Sequence, residues 1–285
     1  MIIMKSVLVP VDFSENSASA LKYAYQYASI RDMNVDVLHL VPPQTETSDF
    51  PMISGHLTQN RVKIDKEVMT TWKKSVLDQV KLKSGDYIPT VHEWTKIGYP
   101  VNGIRSFVKE NGHRLIICGT RGENIAALDK ILGTVSGGLT QNPICPTLFI
   151  PSGFEYTPIK TLGYASNLSH SDPYEIWRAL KLVKPNEPNT HIFHVTEKSS
   201  EKLKQQEQIL KDNLYKHNDL IQIIFHEIKS EEIDEGLLQT VKDIHLDILA
   251  MNKKKESFIE RLFHKSHTKA ILKKIDIPLL VLDDE

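Results

Sequence analysis

Two glycines and a Gly-Thr pair follow an apolar run near the middle of the chain. The run, residues 115–118, leads into Gly119; Gly122 comes three positions later, and Gly133 and Thr134 follow after a helical interval. Glycine lets a backbone approach a ligand closely, and the free N–H groups of such turns, together with a hydroxyl, commonly bind phosphate. We therefore predict that these residues form a cradle for the phosphates of a nucleotide.

Asp12 could contact the same ligand, because its carboxylate can accept hydrogen bonds from ribose hydroxyls or an adenine amine. It follows the β-rich run 5–11, and Ser14 is predicted to cap the next helix. In a doubly wound sheet of order 3-2-1-4-5, the ligand crevice lies between the carboxyl ends of strands 1 and 4. Asp12 and Gly119 are therefore expected at one crevice. Two simpler interpretations stay open: Asp12 only caps the helix, and the glycines only serve the turn.

The first half of the chain alternates short apolar runs with segments of helical periodicity. The predicted strands are residues 5–11, 35–41, 87–94, 115–118 and 147–150. Such alternation implies parallel strands with right-handed crossovers, and continuously apolar strands fit a sheet that is covered on both faces. We predict an α/β fold with a five-stranded, doubly wound parallel sheet. Pro89 favours an edge position for the third strand, because proline cannot donate to a strand ladder.

Two further features of the first half concern packing. Five apolar residues fall four positions apart and predict one face of a long amphipathic helix, the face expected to be buried: Ile64, Val68, Trp72, Val76 and Val80. His39, in the second strand, is expected to have satisfied ring nitrogens and not to be a ligand. Neither feature is assigned to the crevice.

The second half repeats the first. Residues 160–169 echo residues 5–14, and His194 stands where His39 stands in the first half. Later strands also match in the same order, which indicates a tandem repeat and not a chance similarity. Both halves are therefore predicted to form doubly wound domains, each with five parallel strands in the order 3-2-1-4-5.

The predicted domains are residues 1–151 and residues 159–285, and the ligand site is expected in the first domain only. In the second domain Asn167 stands in the place of Asp12, and a run that begins with Met251 in the place of Gly119 replaces the Gly-x-x-Gly turn. A side chain at a missing glycine would fill space that a phosphate needs. The second domain is therefore predicted to be a degenerate partner of the first.

The first half resembles a universal stress protein domain, and the whole chain resembles the tandem two-domain form. The resemblance rests on Val9-Pro-Val-Asp12 with Ser14, on the strand end Leu38-His-Leu-Val-Pro42, and on the glycine series that ends in residues 143–150. It implies an α/β fold of five parallel strands, dimerisation through the last strand and, in many members, ATP binding without a well-defined reaction. The two domains would pair as an internal pseudo-dimer, and a homodimer of whole chains stays an alternative.

The resemblance also implies roles within the crevice. Asp12 would contact the nucleoside, and the backbone at Leu40 would face the adenine. Five residues would hold the phosphates and ribose of ATP or another adenine nucleotide: Gly119, Gly122, Gly133, Thr134 and Ser136. We expect Mg²⁺ to accompany the bound nucleotide. The interval from Gly122 to Gly133 is one residue longer than the family pattern G-x2-G-x9-G-[S/T]. A small loop adjustment could absorb the extra residue, or the residue could misplace Gly133 and Thr134.

Three functions are compatible with the sequence: an ATP-binding module that regulates the stress response, an interaction or scaffold protein that binds no nucleotide, and a slow ATP hydrolase. Hydrolysis ranks last because no general base is evident. A net charge of −1 gives no electrostatic reason to expect nucleic acid or an anionic membrane. No apolar run approaches the roughly 18 residues of a membrane-spanning helix. Cys118 and Cys145 lie in apolar runs and are expected to be free thiols of a cytoplasmic protein.

Overall fold

The computed structural model describes residues 6–43, 51–120, 138–139, 143–183, 188–196, 201–216, 222–230, 233–252 and 275–283. The chain divides into two compact units, a first domain at Met1–Tyr156 and a second domain at Thr157–Glu285. Each contains five of the described strands.

The first domain alternates parallel strands with helices. Its described elements are β1 (Ser6–Val11), α1 (Glu15–Ser29), β2 (Asn34–Val41), α2 (Pro51–Leu77), β3 (Val91–Ile97), α3 (Pro100–Asn111), β4 (Ile116–Gly119) and β5 (Thr147–Ile150). The strand order is β3-β2-β1-β4-β5, and all four pairs within it are parallel. The predicted fold class and strand order are therefore confirmed for this domain.

The second domain has the same architecture. Its described elements are β6 (Thr161–Ala165), α4 (Asp172–Val183), β7 (Asn189–Thr196), α5 (Glu201–Tyr215), β8 (Ile223–Lys229), α6 (Ile233–Ile244), β9 (Ile248–Asn252) and β10 (Leu279–Leu282). The strand order is β8-β7-β6-β9-β10, again with parallel pairs. Counted from its own first strand, this is the order of the first domain, which confirms the predicted tandem repeat.

Local sequence signals explain where two helices of the first domain begin and end. Ser14 is the N-cap of α1, and its Oγ accepts a hydrogen bond from the Ser17 N–H at 3.3 Å. Pro100 lies in the first turn of α3, where a missing N–H costs nothing. Gly112 ends α3 with a φ of 70°, a left-handed conformation that glycine adopts without strain. The predicted cap at Ser14 is therefore confirmed.

The third strand differs from its prediction. β3 begins at Val91 instead of residue 87 and extends to Ile97. Pro89 lies before it, because a residue without an N–H cannot contribute to the start of this ladder. The Val35 N–H donates to the Thr90 carbonyl at 3.0 Å, just ahead of the strand. Among the described strands of this domain β3 is terminal in the order, which is the position that Pro89 favoured.

The buried face of α2 also differs from its prediction. Ile64 and Val68 are 56% and 41% exposed. The buried residues of this helix include Thr58, Asp65, Met69 and Val76. Asp65 lies inward because Arg61 and His39 pair with it. The apolar periodicity was misleading here, because it cannot reveal a charged residue that faces the interior.

A buried carboxylate, Asp36 on β2, connects strands of the first domain. It accepts hydrogen bonds from Ser6 Oγ (2.5 Å), Trp94 Nε1 (3.0 Å) and His113 Nε2 (2.8 Å). These partners lie on β1, on β3 and just before β4. Burial by itself would raise the pKa of Asp36, but the hydrogen bonds from His113, Ser6 and Trp94 and the charge of His113 outweigh it and lower the pKa to about 2.

We expect Asp36→Asn to lower the free energy of unfolding by about 2 kcal/mol at pH 7, because a pKa lowered from 3.8 to about 2 stabilises the folded carboxylate by that much. The folded-state pKa lies below the unfolded value. The contribution is therefore present above pH 3.8 and is lost as the pH falls toward 2. Urea unfolding at a series of pH values from 7 to about 3 measures it. An equal loss of stability at both ends of this range would contradict the assignment.

Candidate functional site

The carboxyl ends of β1 and β4 lie side by side, since these strands are neighbours in the first domain. Asp12 directly follows β1, and Gly119 is the last residue of β4. Gly119 also lies against the first turn of α1, next to the backbone of Asn16. The structure therefore brings Asp12, Gly119 and the amino end of α1 to one edge of the sheet.

Asp12 lies in a tight turn between β1 and α1. It is exposed, and its Oδ1 accepts hydrogen bonds from the Ser14 N–H (3.1 Å) and the Ser14 hydroxyl (2.5 Å). Phe13 has a φ of 64°, a left-handed conformation that is uncommon for a bulky residue. Desolvation by itself would raise the pKa of Asp12, but hydrogen bonds, mainly from Ser14, outweigh it and lower the pKa below 3.8. Asp12 is therefore an anion at neutral pH, and Ser14 is the helix cap.

Leu40 is placed so that its side chain belongs to the core. The residue is 8% exposed, and it packs beneath α3, where a Cβ on Gly103 would lie 2.7 Å from both methyl carbons of Leu40. The side chain of Leu40 is therefore buried, and the contact of its backbone with adenine, which the resemblance implies, stays a prediction.

Four of the predicted phosphate-binding residues lie outside the described residues. They are Gly122, Gly133, Thr134 and Ser136. Their role stays a prediction, and the geometry of the site rests on Asp12, Gly119 and the residues that surround them.

His39 contacts the same turn, which the sequence did not predict. Its Nδ1 lies 2.9 Å from the Val11 carbonyl oxygen, and its Nε2 lies 3.3 Å from the buried carboxylate of Asp65. Its ring contacts the Phe13 ring, with centroids 4.4 Å apart. Both ring nitrogens are satisfied, as predicted, but one partner belongs to the turn of the site. The recurrence of this histidine at His194 was the signal that could have found it.

The second domain carries Asn252 in the place of Gly119. Ile150 is the last residue of β5, and Leu282 is the last residue of β10, the fifth strand of the second domain. Gly119 pairs with Ile150, and Asn252 pairs with Leu282, so the two positions are equivalent. The prediction that Met251 stands there was wrong by one residue, because short apolar strands can be aligned in either register. Asn252 is 9% exposed, and its amide nitrogen and oxygen have no hydrogen-bond partner among the described residues.

The turn after β6 has the shape of the Asp12 turn but different charges. Leu168 has a left-handed φ of 59°, and Asn167 Oδ1 accepts a hydrogen bond from the Ser169 N–H at 3.1 Å. Asp172, 3% exposed, accepts hydrogen bonds from the hydroxyls of Ser166 (2.5 Å) and Ser169 (2.6 Å). A buried carboxylate thus stands at the amino end of α4, where a helix otherwise attracts anions. The carboxylate of this turn is therefore buried at the start of the helix, whereas Asp12 is exposed.

The described residues outside the crevice give no sign of metal or thiolate chemistry. Within them, no group of three or more His, Cys, Asp or Glu residues could hold a metal ion. Cys118 and Cys145 are buried and free, and burial raises the pKa of Cys118 far above its ordinary value, so that it is a neutral thiol. Of the helices described, none combines the length and the apolarity needed to cross a membrane.

Comparison with known proteins gives consistent results along most of the chain. The family model described as "Universal stress protein family" matches residues 4–151 and 181–283. Universal stress protein MJ0531 of Methanocaldococcus jannaschii is 26% identical over 147 residues, which cover 51% of this chain and 81% of that protein. Universal stress protein YxiE of Bacillus subtilis is 27% identical over 150 residues, which cover 50% of this chain and 97% of that protein.

Solved structures show the same fold. The crystal structure of a universal stress protein from Archaeoglobus fulgidus superposes with a TM-score of 0.66 at 18% identity, and the alignment covers 98% of this chain and 96% of that one. A protein of Pseudomonas aeruginosa described as functionally unknown superposes with a TM-score of 0.60 at 15% identity and covers 98% and 92% of the two chains. The architecture of both domains therefore has solved counterparts.

We expect Gly119→Ala to lower the free energy of unfolding by about 1 to 3 kcal/mol, with or without a ligand. A Cβ at this position would lie 2.3 Å from the Asn16 carbonyl oxygen and 2.6 Å from the carbonyl carbon, so the start of α1 has to shift. Urea unfolding without nucleotide measures the loss.

Gly55→Ala, in α2, is the matched control, because nothing lies within 4 Å of the Cβ that it adds. Alanine there should raise stability by about 0.5 to 1 kcal/mol through its higher helix propensity. If the Gly119 variant were as stable as the wild type, the close approach of β4 to α1 would not require a glycine.

Proposed function

We propose that this chain, which belongs to the universal stress protein family, binds an adenine nucleotide in the crevice of its first domain and acts as a regulatory module of the stress response. The observation that supports the proposal most directly is the convergence of the ionised Asp12 turn and the glycine end of β4 at the amino end of α1. ATP accompanied by Mg²⁺ is the ligand we propose.

The proposed roles follow from the chemistry of the groups. An exposed carboxylate that is ionised at neutral pH can accept hydrogen bonds from ribose hydroxyls or from the adenine amine, and Asp12 is such a group. The backbone at Leu40 would face the base. The residues proposed to hold the phosphates and ribose are Gly119, Gly122, Gly133, Thr134 and Ser136. Mg²⁺ would neutralise part of the phosphate charge.

The second domain is proposed to bind no nucleotide. It lacks the carboxylate of the first turn, since Asn167 replaces it, and Asn252 adds a side chain where the first domain has a glycine. The buried carboxylate of Asp172 would also repel a phosphate at the start of α4. The proposed stoichiometry is therefore one nucleotide per chain.

A protein-interaction function without a nucleotide is the second candidate. The one-residue-longer interval between Gly122 and Gly133 supports it, and so do the exposed Ile64 and Val68 on one face of α2. Hydrolysis of ATP is not part of the proposal. The pairing of the two domains as a pseudo-dimer, a homodimer of whole chains and a cytoplasmic location stay predictions from the sequence.

Calorimetric titration of the full-length chain with ATP and Mg²⁺ tests the proposal. We expect about one site per chain, and we expect Gly122→Val to abolish binding because a branched side chain fills the space of a phosphate. Circular dichroism should show that this variant remains folded. Two equal sites would contradict the assignment to the first domain alone, and unaltered affinity of the variant would remove Gly122 from the site. No binding of ATP, ADP or AMP would favour the interaction protein.

Asp12→Asn should weaken ATP binding about tenfold, because it removes a charge-assisted hydrogen bond while asparagine can still accept from the Ser14 N–H. Asn167→Ala in the second domain is the control and should leave the dissociation constant unchanged. Because the pKa of Asp12 lies below 3.8, its contribution to affinity should not vary between about pH 5 and pH 8. Equal affinities of the Asp12 variant and the wild type would exclude Asp12 from the ligand contacts.

A further inference from the structure

We propose that His39 is the residue that positions Asp12 in the crevice of the first domain. The inference deepens the proposed function and rests on it, because Asp12 belongs to the same crevice. His39 does not touch the ligand in this proposal and acts through the residues on either side of Asp12. These residues are Val11 and Phe13, and His39 contacts both.

The first contact fixes the end of β1. His39 Nδ1 lies 2.9 Å from the carbonyl oxygen of Val11, the last residue of β1. A carbonyl oxygen only accepts hydrogen bonds, so Nδ1 carries the hydrogen and donates it. This bond restrains the peptide group that joins Asp12 to the sheet.

The second contact holds the residue after Asp12. The ring centroids of Phe13 and His39 are 4.4 Å apart, and the rings are tilted by 32°. Phe13 has a φ of 64°, and a bulky residue in the left-handed region has a cost that its surroundings must offset. The contact with His39, together with an edge contact to Trp72 at 5.6 Å, holds the ring in place. The backbone on both sides of Asp12 thus depends on one imidazole.

A residue of helix α2, Asp65, contacts the second ring nitrogen of His39. His39 Nε2 lies 3.3 Å from Asp65 Oδ2, and Asp65 is 3% exposed. Arg61 Nε lies 2.9 Å from both oxygens of this carboxylate and donates to them. The carboxylate therefore has a defined orientation. With an oxygen at each nitrogen and Phe13 against the ring, the orientation of His39 is defined as well.

The same arrangement recurs in the second domain. His194 Nδ1 lies 3.0 Å from the carbonyl oxygen of Ser166, and Ser166 precedes Asn167 as Val11 precedes Asp12. The residue after Asn167 is again left-handed. The two domains differ in the charge of their turns but share this histidine contact. A role in shaping the turn accounts for the recurrence, whereas a contact with a ligand of one domain does not.

Variants that replace one ring nitrogen at a time test the proposal. The amide nitrogen of asparagine reaches the place of Nδ1, and that of glutamine reaches the place of Nε2. Full-length chains with His39→Asn, His39→Gln or His39→Leu are titrated with ATP and Mg²⁺. We expect His39→Asn to bind within about twofold of the wild type, and His39→Gln and His39→Leu to bind about tenfold more weakly, the equivalent of one lost hydrogen bond. His194→Leu, which removes the matching contact from the second domain, should leave the dissociation constant unchanged.

Hydrogen exchange of single amides supplies a readout that does not need a nucleotide. The Ser14 N–H donates to Asp12 Oδ1 at 3.1 Å, and the Ser169 N–H donates to Asn167 Oδ1 at 3.1 Å. In His39→Leu we expect exchange at Ser14 to become at least about tenfold faster while exchange at Ser169 is unchanged. In His194→Leu we expect the opposite result: exchange at Ser169 becomes faster, and exchange at Ser14 is unchanged. A general loss of stability would instead accelerate both.

The outcomes separate the positioning role from the proposed function. If the wild type binds ATP and His39→Leu binds it equally well, the positioning role is wrong. If the wild type binds no adenine nucleotide, the proposed function fails, and only hydrogen exchange at Ser14 tests the positioning role of His39. Faster exchange in His39→Leu then supports that role, and unchanged exchange overturns it. If His39→Leu does not fold, the comparison of His39→Asn with His39→Gln decides, and equal behaviour of these two variants overturns the proposal.

Discussion

The crevice of the first domain depends on how closely the end of β4 approaches the first turn of α1. A residue without a Cβ is needed at Gly119, because the Asn16 backbone occupies the space of a side chain. Packing thus requires this glycine, and its presence does not by itself indicate a ligand. Asp12 is more informative. It is exposed and ionised, and Ser14 rather than Asp12 caps the helix, while Asp12 Oδ1 accepts the hydrogen bonds of the Ser14 N–H and hydroxyl. The case for a nucleotide therefore rests more on the carboxylate than on the glycine that first suggested it.

The two domains show which parts of this arrangement belong to the fold and which to the ligand. Both have a left-handed residue after the first polar residue of the turn, and both have a histidine that donates to the last carbonyl before it. The second domain changes the groups that a ligand would meet. Its buried Asp172 accepts hydrogen bonds from the hydroxyls of Ser166 and Ser169, so these hydroxyls donate within the protein. An ion pair also joins its α4 to the residue that follows β10, since Arg178 lies 2.5 Å from Asp283. The two turns therefore share a backbone conformation and a histidine contact but differ in their charged groups.

Sequence patterns predicted the parts of the fold that depend on apolar periodicity and on local backbone signals. Alternating strands and helices and the cap at Ser14 belong to this class, whereas the order 3-2-1-4-5 was taken from the general arrangement of doubly wound sheets. The failures have separate causes. The buried face of α2 was misassigned because Asp65 lies inside, the start of β3 moved because Pro89 cannot donate, and Asn252 was missed because short strands align in two registers. The Asp36 and His39 contacts also escaped prediction, because each joins residues far apart in sequence through polar atoms. The role of the glycines and hydroxyls between Gly122 and Ser136 is still a prediction.

Asp65 connects two of these failures. A carboxylate that is 3% exposed loses several kcal/mol of hydration, which only well-placed partners can offset. Arg61 provides the charge, and His39 provides the second contact. An apolar residue would fill the same position of α2 without this cost, but it would remove the carboxylate beside Nε2 of His39 and leave the imidazole less restrained. The presence of a carboxylate at position 65 is thus explained by its contact with the His39 imidazole, which it orients. Because that imidazole holds both neighbours of Asp12, the inward position of Asp65 on α2 and the shape of the crevice follow from the same contact.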